Sequence, residues 1–126
     1  MKVNKKILIV EDERPLADAI KLKLEINNFI VFVAKSVVEA FEIIKDNKID
    51  FIWLDHYLPG EESGLDFVIK IRSSKSVNKN IPIFVVSNTA GNDKIKSYIN
   101  FGINKYYVKS DYSLEDIISD LKIVLK

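Results

Sequence analysis

The sequence of 126 residues contains no cysteine, which excludes disulfides, thiolate-bound metals and a cysteine nucleophile. It also lacks any long apolar run. The opening MKVNKKILIV sets a basic flank before a hydrophobic stretch of only four residues, too short for a secretion signal, and no later stretch approaches a membrane span. Net charge is nearly absent: 19 Lys and Arg stand against 18 Asp and Glu, leaving +1. Without a basic excess, neither nucleic acid nor a membrane surface is expected as a partner. Arginine occurs only at Arg14 and Arg72, and lysine carries the remaining positive charge. A glycine-rich turn is missing after the first apolar run, where Glu11-Asp12-Glu13 stands instead. That argues against a flavin or dinucleotide site, whose phosphates rest on Gly-rich turns at helix N-termini.

What remains is the balance of a globular protein, with 48% apolar and 29% charged residues. The length suits one domain, and a single domain over residues 1–126 with no output domain is expected. A cytoplasmic location follows as the default, with the chain as monomer or weak dimer.

Apolar runs and helical patterns alternate throughout. Ile7 to Val10 reads as a strand covered on both faces. Arg14-Pro15 opens a helix with Leu16, Ala17, Ile20 and Leu24 on one face, and Asn27-Asn28 stops it. Phe29 to Val33 is a second strand. The spacing Ser36-Val-Val-Glu39 is that of a capping box before a helix burying Val37, Ala40, Phe41 and Ile44. Ile49 to Leu54 is a third strand running directly into Asp55. A turn at Pro59-Gly60 precedes a helix marked by Leu65, Val68 and Ile69. Ser73 to Asn80 reads as a surface loop, and Ile81 to Val86 as a fourth strand with Pro82 near its start. Ile95, Tyr98 and Ile99 suggest a weaker helix ending near Gly102. Tyr106 to Val108 is a fifth strand, and Ser113 caps a last helix with Leu114, Ile117, Ile118, Leu121, Val124 and Leu125 at helical spacing. Five strands alternating with five helices predict a doubly wound parallel α/β sheet. The flavodoxin-like order 2-1-3-4-5 suits this size, with ligands binding beyond the carboxyl ends of strands 1 and 3.

Five residues collect at those ends: Glu11 and Asp12 after strand 1, Asp55 after strand 3, Ser87 after strand 4 and Lys109 after strand 5. Crowded carboxylates repel, and without a counter-ion at least one has a raised pKa. A hard divalent cation relieves that, and Mg²⁺ suits oxygen ligands. With the Lys109 ammonium and the Ser87 hydroxyl, the set fits phosphoryl transfer, which depends on positioning and charge neutralisation. Each residue also has a plainer role. Glu11 and Asp12 suit a helix N-terminus, Asp55 and Ser87 suit turns, and Tyr106 suits ordinary packing. His56 is the only histidine and Trp53 the only tryptophan; the first suits an exposed loop and the second the core.

The segments ILIVEDE, FIWLDHYLPG, IPIFVVSN and YYVKS, in this order and spacing, make the chain resemble the receiver domain of two-component response regulators. The resemblance covers nearly the whole sequence. It implies Asp55 as phosphoacceptor and Asp12 as the main Mg²⁺ ligand, with Glu11 acting partly through water and the Tyr57 backbone carbonyl as a further ligand. Ser87 and Lys109 would bind phosphoryl oxygens, and Tyr106 would turn inward as Ser87 moves toward the phosphate. The implied partners are a histidine kinase or phosphotransfer protein and a downstream protein target. Three features depart from the pattern: Ser110 follows Lys109 where the family has a cis proline, Asn88 stands where a small residue is usual, and the loop Pro59 to Gly64 is one residue longer.

The function expected is thus a phosphorylation-dependent switch, not an enzyme acting on separate substrates. A degenerate receiver, serving as a phosphorylation-independent binding module, is the alternative that Asn88 and Ser110 suggest. A haloacid-dehalogenase-type enzyme would need a second Asp two residues after the nucleophile, where Tyr57 stands.

Overall fold

Ile7, Leu8, Ile9 and Val10 are each fully buried, and a segment hidden on both faces belongs at the centre of a sheet. The computed structural model, which describes residues 4–75, 77–88 and 91–126, places them there. Five strands, β1 (Lys6–Val10), β2 (Ile30–Ala34), β3 (Phe51–Leu54), β4 (Ile83–Ser87) and β5 (Lys105–Val108), alternate with helices α1 (Arg14–Ile26), α2 (Val37–Asp46), α3 (Gly64–Ser73), α4 (Asn92–Asn100) and α5 (Leu114–Val124). All four strand pairings are parallel. The order is β2-β1-β3-β4-β5, the flavodoxin-like order expected from the alternation.

Side chains alternate across the sheet with the two-residue period of strands, so each strand contributes to two cores. Leu8, Val10, Ile52, Leu54, Ile83 and Val85 pack with residues of α2, α3 and α4, Phe67 and Tyr98 among them. Ile7, Ile9, Phe51, Trp53, Phe84 and Val86 pack with Ile20, Leu24, Ile117, Ile118 and Leu121 of α1 and α5.

Element ends follow local chemistry. Asn28 takes a positive φ of 70°, and Phe29 and Asn28 N–H groups return to the Leu24 and Glu25 carbonyls. This is a Schellman stop, and it moves the start of β2 from Phe29 to Ile30. At Ser36 only half of the predicted capping box forms: the serine side chain accepts from the Glu39 N–H. Complete boxes form at Ser63 with Asp66 and at Ser113 with Asp116. Strand β3 begins at Phe51 rather than Ile49, because Asp50 turns its side chain onto the Lys6 N–H. Pro82, lacking an N–H, lies just outside β4 and contributes only its carbonyl, to Ile52. Within the predicted loop before it, Val77–Asn80 forms a 3₁₀ turn. Ser76 of that loop, and the leading Met1-Lys2-Val3, lie outside the described residues.

Arg72 ties the end of the molecule opposite the carboxyl ends of the strands. Its Nε and Nη2 donate to the Gly102 carbonyl at 3.1 and 2.9 Å, and Nη1 donates to the Lys79 carbonyl at 2.9 Å. Gly102 sits at φ +88° just past α4, a conformation that favours glycine.

Candidate functional site

The loop after β3 is positioned by sheet bonds. The Asp55 N–H donates to the Val10 carbonyl and the Glu11 N–H to the Ala34 carbonyl, both at 2.9 Å, so the acids leave β3 and β1 side by side. Lys109 is fixed likewise, its N–H donating to the Ser87 carbonyl at 2.8 Å. Glu11, Asp12 and Asp55 each offer an oxygen, and these oxygens lie within 4.8 Å of one another. Glu11, Asp55 and Ser87 are buried, whereas Asp12 is exposed. The crevice therefore has a closed floor and one open wall.

Its electrostatics are unbalanced. The Lys109 ammonium lies 3.1 Å from Glu11 Oε1 and 3.7 Å from Asp55 Oδ1. One cation thus serves two buried carboxylates and sits nearer to Glu11. The other Glu11 oxygen accepts from the Glu13 N–H at 3.1 Å. Asp55 Oδ1 is buried and has no hydrogen-bond partner among the described residues. Burial first, and then the neighbouring Glu11, push the Asp55 carboxyl up to about 7 against the smaller opposing pull of Lys109. An orphaned oxygen among clustered hard donors fits a small divalent cation, which would supply the missing positive charge.

The remaining expected residues lie around this centre. Ser87 closes β4 and pairs with Val108 of β5. Tyr57 stands two residues after Asp55, with its ring half exposed beneath the Lys94 ammonium, which is 4.5 Å from the ring centroid and 2.9 Å from its hydroxyl. Tyr106, half-buried, packs its ring against Tyr98 at 5.8 Å between centroids. The bond between Lys109 and Ser110 is trans, as no cis peptide occurs among the described residues; the backbone accommodates serine there without the cost of a cis non-proline bond. Asn88 is exposed.

Two features escape the sequence pattern. Tyr98, which periodicity marks only as an apolar position, brings its hydroxyl to His56 Nδ1. Gly64 is needed where it stands, because a Cβ there would meet the Tyr98 hydroxyl at 2.8 Å and the Asp55 carbonyl at 2.9 Å. A tyrosine on a buried stripe requires a hydrogen-bond partner, and that is the signal pointing to its link with the lone histidine.

Comparison with known proteins shows the family and the fold. The family model of the response regulator receiver domain matches residues 7–122. The chain belongs to that family. Among curated receivers' parent proteins, it is 31% identical over 124 residues to the phosphate regulon transcriptional regulatory protein PhoB of Pseudomonas aeruginosa, covering 98% of this chain and 53% of that protein. It is 35% identical over 125 residues to the regulatory protein VanR of Enterococcus faecium, covering 98% and 51%. The chain thus spans about half the length of these relatives. The non-phosphorylated HemR receiver domain of Leptospira biflexa superposes with a TM-score of 0.86 at 26% identity, over 98% of this chain and 95% of that one. A CheY-like receiver from Methanospirillum hungatei, at 23% identity, shares the fold with a TM-score of 0.88 over 98% and 94%. Receivers are signalling modules of two-component systems rather than classical enzymes, and family membership supports a phosphorylation-dependent switch. Among the described residues, no helix is long and apolar enough to cross a membrane.

Proposed function

We propose that this receiver is switched by transfer of a phosphoryl group from a phosphohistidine, on a kinase or phosphotransfer protein, to Asp55. The observation that carries the reading is the buried Asp55 Oδ1, without a hydrogen-bond partner among the described residues and 3.7 Å from Lys109. Asp12, Glu11 (partly through water), Asp55 and the Tyr57 carbonyl would hold Mg²⁺, which when bound supplies positive charge against the transferring phosphoryl oxygens. An Asp55 oxygen attacks phosphorus in line. The P–O bond forms as the P–N bond to the donor imidazole breaks, and the departing imidazole takes a proton from water. Lys109 exchanges part of its contact with Glu11 for a phosphoryl oxygen, and Ser87 donates its hydroxyl to another. Tyr106 then turns inward behind Ser87, reshaping the face of α4, β5 and α5 that a downstream protein reads.

Asp55→Asn is expected to abolish Mg²⁺-dependent labelling by acetyl phosphate, measured by phosphate-affinity electrophoresis. Labelling that survives the substitution moves the acceptor elsewhere. Intact fold with neither labelling nor Mg²⁺-dependent beryllofluoride binding in the wild type would favour a phosphorylation-independent binding module.

A further inference from the structure

His56 lies between the proposed acceptor, Asp55, and the proposed carbonyl ligand, Tyr57. Its backbone carbonyl accepts from the Gly64 N–H at 3.2 Å. Its ring hydrogen-bonds through Nδ1 to the Tyr98 hydroxyl and meets the Tyr57 and Tyr98 rings edge to face, at 4.8 and 5.6 Å between centroids. Tyr98 is fully buried. Side chains on a helix lean toward its N-terminus, so this residue from late in α4 reaches back to the carboxyl end of the sheet. There the absence of a side chain at Gly64 leaves room for its hydroxyl beside the Asp55 carbonyl.

The same tyrosine also touches Tyr106. One buried side chain therefore contacts the loop that follows Asp55, the start of α3 and the aromatic of β5. A hydroxyl buried at this depth is costly unless bonded, which holds the pair together.

From this geometry we infer that His56 and Tyr98 are positioning residues: their hydrogen bond fixes the segment Asp55–Tyr57 against α4 and so sets how well that segment holds Mg²⁺. The inference rests on the reading of Asp55 as acceptor with bound Mg²⁺. It assigns the histidine a role through the loop it orients rather than contact with the phosphoryl group. Outer partners that orient metal ligands commonly govern affinity in this way.

The test uses Tyr98→Phe, which deletes only the hydroxyl, with His56→Leu and His56→Asn, the last keeping a polar atom near the Nδ1 position. Mg²⁺ affinity is read by fluorescence of Trp53, the sole tryptophan, placed two positions before Asp55. Exchange of the Gly64 amide is read in metal-free protein. Tyr98→Phe and His56→Leu are each expected to weaken Mg²⁺ binding roughly 10-fold and to speed Gly64 exchange. The double variant is expected to lose no more than either single one, and His56→Asn to recover most of the affinity. Unchanged Mg²⁺ affinity in folded Tyr98→Phe or His56→Leu, or losses that add in the double variant, would overturn the link and leave the acceptor reading standing. Wild-type protein that binds no Mg²⁺ rejects the acceptor reading, and the link with it.

Discussion

A carboxyl group lifted to about 7 from its ordinary 3.8 makes Asp55 a pH-sensitive residue. Because the folded value is the higher one, the fold is favoured by the protonated form. That contribution is complete below about 3.8 and is lost as pH rises through about 7. Metal-free wild-type protein is therefore expected to lose melting temperature across this window relative to Asp55→Asn, whose amide does not titrate. Parallel melting curves for the two proteins would mean that Asp55 ionises normally. Mg²⁺ competes with the same proton, so its affinity is expected to rise between about pH 6 and about pH 8, as a Trp53 fluorescence titration would measure. Affinity that is level over that range would separate the metal from the Asp55 carboxylate.

At the scale of elements, the helices differ in what secures them. Ser113 caps α5, accepting from the Asp116 N–H while Asp116 accepts in return. Ser113→Ala should cost about 1 kcal/mol in urea unfolding and leave acetyl phosphate labelling intact; no measurable loss would show that solvent replaces the cap bond. This cap was legible in the sequence, as were every strand and the sheet order, because continuous apolar runs and cap residues act over a few positions. The five residues at the strand ends were legible for the same reason, since topology alone brings them together. Less was legible where tertiary contacts decide. In α4, Ile95, Tyr98 and Ile99 look like one apolar face, yet Ile99 is 58% exposed and Tyr98 is the only buried residue of the helix. In α3, Phe67 and Ile71 are buried alongside the expected Val68, while Leu65 and Ile69 are only half-buried. The pairing of Lys109 with Glu11 was hidden too, because spacing reports which residues meet and not which carboxylate the single ammonium prefers.

For the whole molecule, the site stores repulsion that a cation would release. A ligand that binds only the folded state at about 100 times its Kd adds about 2.7 kcal/mol. For a domain of this size that is a rise of about 8 °C in melting temperature, expected with Mg²⁺, reversed by EDTA and absent in Asp55→Asn. A Mg²⁺-induced rise that persists in Asp55→Asn would place the ion at other acids. The two ends of α4 meet this event unequally. Arg72 grips the Gly102 carbonyl beyond the helix's last turn, while its first turn starts at Gly91 with no side-chain cap. Lys94 in that first turn rests on Tyr57, two residues past Asp55, so α4 is a lever with its fulcrum at the far end and its near end on the loop after β3. The helix of nine residues is about 13 Å long, so a tilt of about 10° at the fulcrum carries the near end about 2 Å. Movement of that size would reach the surface as rotation of a rigid rod, with the base of the sheet left still.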